Sequence, residues 1–268
     1  MKNALLTTKG EGRTSVPITV HESLFYAPVK LGRTQQMAQL DTGSAGLMVT
    51  KKVSNELEVV KKGKMTGAFQ QMETQVVRLP RLSWLGKTYR NLPATVRSEP
   101  SEKTPFLVRV TLGNVLLLAQ QLFLDLRMME ACSVAPNGLL VARVPMRLDH
   151  GIPFLELALG GRRVRTLFDT GAGASCLNAR ITDLQGIEIL SHKVFDPTGA
   201  SMKLKLFRGP SLSLGGKELG PTEYMMLDLS RQEELLGSPI DFIFGVNTML
   251  RLGGVWELDV KAGQLGWG

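Results

Sequence analysis

Cysteine and histidine are scarce in this chain of 268 residues, which holds two cysteines and three histidines. Cys132 and Cys176 show neither metal-ligand spacing nor a disulfide framework, so we expect two buried or half-buried free thiols. His21, His150 and His192 form no cluster along the sequence, and we therefore expect neither a zinc site nor another metal cofactor. The sequence also gives little support to a Cys–His hydrolase, although a pairing of distant residues in space stays open.

Long hydrophobic runs are missing, since no apolar stretch reaches the roughly 18 residues that a membrane span needs. The most apolar segment, residues 115–126, is interrupted by two glutamines and is typical of a buried core. The N-terminal segment MKNALLTTKGEGRT becomes polar too early for a signal peptide. We therefore expect no membrane span, and a cytoplasmic location is favoured unless a leader is absent from this sequence.

Aromatic residues make up only 6% of the chain, whereas the net charge is +8. A basic excess can indicate nucleic-acid binding. Here, however, Lys and Arg are dispersed in short pairs such as Lys51-Lys52, and no nucleic-acid motif accompanies them. No nucleic-acid partner is expected.

Extended helical periodicity of 3.6 residues is also hard to find, while 28 glycines and 13 prolines are spread along the chain. This distribution is typical of many short strands joined by turns. Hydrophobic residues make up 43% and charged residues 21%, as in folded globular proteins. The predicted fold class is all-β.

An internal repeat organises the chain. Residues 16–43 align without a gap with residues 144–171, and LSWLGK and LFLDL are matched later by LSLGGK and WELDV. The repeat predicts two homologous lobes, at residues 16–131 and 144–268, after an N-terminal tail at residues 1–15. A linker is expected at residues 132–143, where Pro136, Asn137 and Gly138 favour a turn.

Each half shows the same local signals. The segments KLGR and ALGGRR predict hairpin turns between apolar strands, and SMKLKLF alternates like a strand with one solvated face. The segments after Gly113 and Gly245 predict one short helix each. Each half is therefore expected to be a small β-barrel or sandwich with a helix near its end.

The tripeptide Asp-Thr-Gly occurs at matching places in the two halves, at residues 41–43 and 169–171. Average composition makes two such tripeptides by chance an event of about one in a thousand. Two carboxylates a few ångströms apart cannot both ionise cheaply, so such a pair shares a proton. The ionised member can polarise a water molecule, and the protonated member can donate to a carbonyl oxygen.

The loops DTGSAG and DTGAGAS, with the later segments TLG at 111–113 and IFG at 243–245, resemble the aspartic peptidases. The spacing within each half is most similar to the retropepsin-like (retroviral-type) unit, and two units in one chain are similar to the bilobal pepsin-like arrangement. The resemblance covers residues 16–268. It implies two retropepsin-like β-barrel lobes of the acid protease fold, related by a pseudo-twofold axis, in a monomer that is an intramolecular pseudo-dimer.

The resemblance implies an aspartic endopeptidase that hydrolyses peptide bonds by a water activated between Asp41 and Asp169, without a cofactor. A polypeptide substrate would bind in extended form. The alternative is a catalytically weak peptide-binding or scaffold protein on the same fold. Because both tripeptides are intact, the enzyme is favoured over the scaffold.

The same resemblance assigns supporting roles around the two aspartates. The glycines are expected to keep side chains away from the carboxylates, and the threonines to hydrogen-bond across to the opposite loop. A serine after the first Gly is expected to donate to the Asp41 carboxylate, whereas the alanine at the matching place cannot donate. These supporting residues are Thr42, Gly43, Ser44, Thr170, Gly171 and Ala172.

A flap hairpin is expected in each half, about 25 to 30 residues after the aspartate by family analogy. Thr66-Gly67 and Thr198-Gly199 stand at matching places there and predict hairpin tips with positive φ at glycine. Ordinary hairpin turns are the alternative interpretation. The first flap segment holds no tyrosine, and Phe69 is the candidate to replace the flap tyrosine of pepsin-like enzymes.

Three other aspartates are interpreted as structural. Asp125 and Asp259 are repeated but lack a glycine-flanked loop, which favours positions at turns or strand ends. Asp196, in the segment FDPTG, is interpreted as an Asx-turn residue.

Overall fold

The computed structural model describes residues 14–99, 108–136 and 140–268. Strands predominate in these residues, so the all-β prediction is confirmed. Most of the expected N-terminal tail lies outside the described residues, as do Asn137 and Gly138 of the expected linker. None of the helices in the described ranges is long and apolar enough to cross a membrane.

The described residues of the first half form strands of 3 to 14 residues and two single-turn helices. They are β1 (Ser15–Pro17), β2 (Thr19–His21), β3 (Leu24–Leu31), β4 (Thr34–Leu40), β5 (Leu47–Thr50), α1 (Lys51–Ser54), β6 (Glu58–Thr66), β7 (Gln71–Trp84), β8 (Lys87–Arg97), β9 (Val108–Leu112), α2 (Asn114–Leu117), β10 (Leu122–Asp125) and β11 (Glu130–Cys132).

The second half also consists mainly of strands, with two helices. Its elements are β12 (Ala142–Asp149), β13 (Ile152–Leu159), β14 (Arg162–Phe168), β15 (Ser175–Asn178), β16 (Ile187–Phe195), β17 (Ser201–Leu214), β18 (Lys217–Leu227), α3 (Ser230–Leu236), β19 (Phe242–Phe244), α4 (Val246–Leu252), β20 (Val255–Asp259) and β21 (Gln264–Trp267).

The two halves contain the same set of strand pairings. β3 and β4 form an antiparallel hairpin, as do β13 and β14, and β4 pairs in parallel with β9 as β14 does with β19. β5 lies between β8 and β9 as β15 lies between β18 and β19. β7 returns to β3 as β17 returns to β13. The sequence repeat is therefore also a structural repeat.

Local sequence signals account for the turns and for two of the helices. Gly32, Gly160 and Gly161 have positive φ at the β3–β4 and β13–β14 turns, a conformation that glycine adopts without steric penalty. The short helices predicted after Gly113 and Gly245 are α2 and α4. These predictions are confirmed, whereas α1 and α3 were not predicted.

The two halves meet in a shared run of strands ordered β1-β11-β10-β20-β21-β12. At its centre β10 and β20 are antiparallel, with Leu122 opposite Leu258 and Leu124 opposite Trp256. Asp125 and Asp259 end these two strands, as expected. In the sequence repeat, Leu122 corresponds to Trp256 and Leu124 corresponds to Leu258. The Leu122–Leu258 pair and the Leu124–Trp256 pair are therefore equivalent under the symmetry that relates the two halves. One buried apolar cluster spans both halves, and the sheet and this cluster fix the relative position of the two Asp-Thr-Gly loops.

Candidate active site

The two Asp-Thr-Gly loops have the same local construction. Each aspartate follows the last residue of a strand, β4 or β14, which pairs in parallel with β9 or β19. The Asp41 N–H donates to the Leu112 carbonyl, and the Asp169 N–H donates to the Phe244 carbonyl, both at 3.0 Å. Because these carbonyls end the neighbouring strands, the sheet holds both aspartates at a strand terminus.

The structure brings Asp41 and Asp169 together, and their carboxyl groups are hydrogen-bonded to each other. The Oδ1 atom of Asp169 also accepts the N–H of Gly171 at 2.7 Å and the N–H of Gly43, from the opposite loop, at 3.1 Å. Two buried acids that face each other in this way form one proton-sharing unit.

The two carboxyl groups differ in their surroundings. Burial, together with the facing charge of Asp169, raises the pKa of Asp41 well above its usual range. Burial also raises the pKa of Asp169, but N–H groups of Gly171, Gly43 and Ala172 and the hydrogen bond from Asp41 all oppose that rise. The N–H groups of Gly43 and Gly171 both donate to Asp169, so this arrangement favours the negative charge on Asp169 and the shared proton on Asp41.

Thr42 and Thr170 hydrogen-bond across to the opposite loop, as the sequence predicted. Each hydroxyl accepts the N–H of the other threonine, at 3.0 and 2.9 Å. The Thr42 hydroxyl donates to the Phe168 carbonyl at 2.8 Å, and the Thr170 hydroxyl donates to the Leu40 carbonyl at 2.9 Å. These four bonds connect the two loops directly.

Gly43 and Gly171 are required by close approach. A Cβ atom on Gly43 would overlap the Asp169 carboxyl group, and a Cβ atom on Gly171 would overlap the Asp41 carboxyl group. Gly46, in the first of these loops, has nothing within 4 Å of its Cβ position. Only the glycine directly after each Asp-Thr is therefore needed to admit the opposing carboxyl group.

The prediction for the Ser44 hydroxyl is wrong. It donates to the Gly46 carbonyl at 3.1 Å, so it closes its own turn. The backbone N–H of Ser44 donates to the main-chain carbonyl of Asp41 at 3.3 Å, so it belongs to the same turn. Ala172, at the matching place, packs beside an apolar cluster of the second half.

Two hairpins occupy the positions predicted for flaps. β6 and β7 end in a tip at residues 67–70, and β16 and β17 end in a tip at residues 196–200. Gly199 has the expected positive φ of 88°, but Gly67 does not have positive φ, which corrects that part of the prediction. Gly67 is needed for another reason, since its Cβ would overlap the Asp196 carboxylate of the other tip.

Asp196 joins the two tips. Its Oδ1 atom accepts the N–H groups of Thr198 at 2.9 Å and Ala200 at 3.2 Å, which confirms the Asx turn. Its Oδ2 atom accepts the N–H of Phe69, in the other tip, at 2.9 Å. The sequence did not predict this second role, because no aspartate stands at the matching place in the first half.

Each tip also rests on the opposite half. In the first tip, the Phe69 carbonyl accepts a hydrogen bond from Arg231 of α3 at 2.7 Å, and the Ala68 carbonyl accepts one from Gln232 at 3.1 Å. In the second tip, the Thr198 carbonyl accepts one from the Ser98 hydroxyl at 2.8 Å. Thr66 stands at the end of β6, opposite Gln71. Each tip is thus anchored on the opposite half, and the Phe69 side chain packs against the apolar cluster that contains Cys176.

Both cysteines are buried free thiols, as predicted. Burial, with the charge of nearby Asp169, raises the pKa of Cys176 to about 12, so this thiol stays neutral and is a poor nucleophile. In the described part of the chain, no group of three or more His, Cys, Asp or Glu side chains could hold a metal ion.

Comparison with known proteins returned no match, either among protein-family profiles or among curated proteins. The functional interpretation therefore depends on the geometry of the site.

Proposed function

We propose that this chain is an aspartic endopeptidase with two retropepsin-like lobes, in which Asp41 and Asp169 activate a water molecule between them. The observation that carries the proposal is the meeting of two Asp-Thr-Gly loops, one from each half, with their carboxyl groups in hydrogen-bonding contact. The reciprocal threonine bonds support it, because they hold the pair in a fixed geometry.

The different surroundings of the carboxyl groups assign their roles in hydrolysis. Asp169, ionised, accepts a proton from the water while the water oxygen attacks the peptide carbon. Asp41, protonated, donates its proton to the carbonyl oxygen, so a neutral gem-diol forms. Asp169 then protonates the leaving nitrogen while Asp41 takes a proton from one diol hydroxyl, and the C–N bond breaks. Both carboxyl groups return to their starting states, and no covalent intermediate is needed.

The flap tips give this chemistry a covered cleft. An extended peptide beneath them would pair by its main chain, with alternate side chains directed to opposite walls. Because the tips are bonded to each other through Asp196 and Phe69, a substrate must break that contact to enter. Closure afterwards would exclude bulk water from the dyad.

The test is incubation of the purified protein with a peptide library from acidic to neutral pH, with cleavage sites identified by mass spectrometry. The proposal predicts internal cleavage that a statine-type transition-state mimic blocks, and this mimic should also raise the melting temperature. A preparation of the Asp41→Asn variant controls for contaminating proteases. Binding of library peptides without any cleavage would favour the scaffold alternative, and an inhibitor without effect would count against the dyad.

A further inference from the structure

In the sheet beside each catalytic loop, five adjacent strands each contribute one residue to a row that runs across the sheet. Each residue of the row is paired with the next one on the neighbouring strand. In the second half, the row crosses β13, β14, β19, β15 and β18 and is wholly apolar; its residues are Phe154, Leu167, Ile243, Cys176 and Met225. All five belong to the cluster on which the Phe69 tip packs.

The matching row in the first half is largely polar. It crosses β3, β4, β9, β5 and β8 in the same order, and its residues are Tyr26, Gln39, Thr111, Met48 and Thr95. The two walls of the cleft therefore differ in chemistry although they are built from equivalent strands.

Arg97 adds a charge to the polar wall. It follows Thr95 by two residues on the same face of β8, where the second half has Leu227. Only 6% of its surface is exposed, and no carboxylate of the described residues forms an ion pair with it. Its Nη atoms donate to the Ser98 and Val108 carbonyls at 3.3 and 3.2 Å, whereas its Nε atom has no partner among the described residues.

A buried guanidinium without a counter-ion is unfavourable unless something compensates it. Within the part of the chain that the structure describes, the acidic groups close enough to act on the charge are Glu99, Tyr26 and Asp41. Glu99 is exposed and accepts the N–H of Lys52. Asp41 is the member of the dyad that holds the proton. The hydroxyl of Thr111, with 1% of that residue exposed, is a second buried polar group that has no partner in the described ranges.

We propose that the wall formed by the first half binds a carboxylate side chain, Asp or Glu, of the peptide substrate beside the scissile bond, through Arg97 and the Thr111 hydroxyl. The opposite wall binds an apolar side chain. This inference rests on the proposed function, and it names the substrate class: peptides with an acidic residue on one side of the bond and an apolar residue on the other.

The experiment uses pairs of non-cleavable peptides, in which a reduced bond replaces the scissile amide, that differ only by Glu or Gln at one position. Both positions that flank the reduced bond are tested by calorimetry. At one of them, the wild-type protein should bind the Glu peptide about ten- to a hundredfold tighter than the Gln peptide, the range of a charge-assisted hydrogen bond. Below about pH 4, where the ligand carboxylate is protonated, the advantage should disappear.

Variants identify the side chain responsible. Arg97→Met should abolish the Glu advantage while binding of the Gln peptide persists, and Leu227→Met is the matched control at the equivalent position, which should retain the advantage. Thr111→Val, nearly isosteric, should lower the advantage several-fold and provides a second variant if Arg97→Met does not fold. Melting curves report folding in each case.

The outcomes separate this inference from the proposed function. Equal affinity for the two peptides, no binding of either, or an advantage that survives in Arg97→Met would overturn the acidic subsite. A Glu advantage that depends on Arg97, in a protein that cleaves no amide version of the same peptides, would leave the subsite standing and defeat the peptidase proposal. Cleavage of the amide peptides without a preference for Glu would support the peptidase proposal and overturn the acidic subsite.

Discussion

Thr42 and Thr170 each form hydrogen bonds to the loop that contains the other threonine. Each hydroxyl accepts the opposing N–H and donates to the carbonyl of the residue that precedes the opposing aspartate. Both residues are fully buried. The relation is reciprocal, so it fixes the distance between the loops and thereby the distance between the two carboxyl groups.

Removing either hydroxyl should destabilise the protein. In Thr42→Val or Thr170→Val, one buried N–H and one buried carbonyl lose their partner, so we expect a loss of about 2–4 kcal/mol in the free energy of unfolding. Thr50→Val is the matched control, because Thr50 is equally buried but its hydroxyl has no partner in the residues that the structure describes. Urea denaturation measures all three variants. Equal small effects in all of them would show that the cross-loop bonds contribute little.

A second prediction concerns the lack of space for a side chain at the glycines of the two Asp-Thr-Gly loops. Gly43→Ala and Gly171→Ala place a Cβ against the opposing carboxyl group. A displacement of this kind should lower the rate of peptide cleavage by about a hundredfold or more. Gly46→Ala has free space and should retain activity. Steady-state kinetics on one peptide compares the variants, and a fully active Gly171→Ala would mean that the carboxyl groups need not be in contact.

The repeat in the sequence predicts the dyad, the hairpin turns, and the helices after Gly113 and Gly245, because these depend on residues that are close in sequence. The shared sheet was not predicted, since the pairing of Leu124 with Trp256 joins strands that are far apart in sequence. For the same reason Asp196 was recognised only as a turn residue, and its contact with Phe69 needed the structure.

The Ser44 hydroxyl shows a different limit of prediction from the sequence. Family resemblance assigns it to Asp41, but the main-chain carbonyl two residues ahead, that of Gly46, accepts the hydroxyl proton instead. Arg97 carries no local signal at all. Its significance comes from its burial without an ion pair to any described carboxylate, a property that only the folded chain has.

The contact between the flap tips gives a third prediction. In Asp196→Ala, the Phe69 N–H loses a charged acceptor, so exchange of this amide hydrogen should become about ten- to a hundredfold faster. Pro197→Ala, at the exposed neighbouring residue, is the control. Hydrogen exchange followed by mass spectrometry of the tip peptide measures both. Unchanged exchange in Asp196→Ala would show that the tips are held by other contacts.

A fourth prediction concerns pH. Burial, with the facing charge of Asp169, raises the pKa of Asp41 above its unfolded value, so the folded state binds protons more tightly. The contribution of Asp41 to stability is therefore fully present below the unfolded pKa, about 3.9, and is lost as pH rises through the raised value. Asp41→Asn should be more stable than the wild type at neutral pH, and the difference should shrink to nothing as the pH falls below about 4.

Asp228 provides a control, because its pKa is shifted in the opposite direction to that of Asp41. The Ser230 N–H lowers the pKa of Asp228, so this group contributes stability above its unfolded pKa and loses it as pH falls through the lowered value. Asp228→Asn should therefore be less stable than the wild type at neutral pH. Denaturation curves at a series of pH values measure both variants. A difference for Asp41→Asn that grows towards acid would mean that its pKa is not raised.

The central claim is that Asp41 and Asp169 act as one catalytic unit, and cleavage of a single defined peptide by three variants tests it most directly. Asp41→Asn and Asp169→Asn should each lower kcat by at least about a thousandfold, with circular dichroism unchanged. Asp259→Asn, at a repeated aspartate outside the loops, should retain wild-type activity. Wild-type kcat in either dyad variant would contradict the shared-dyad mechanism.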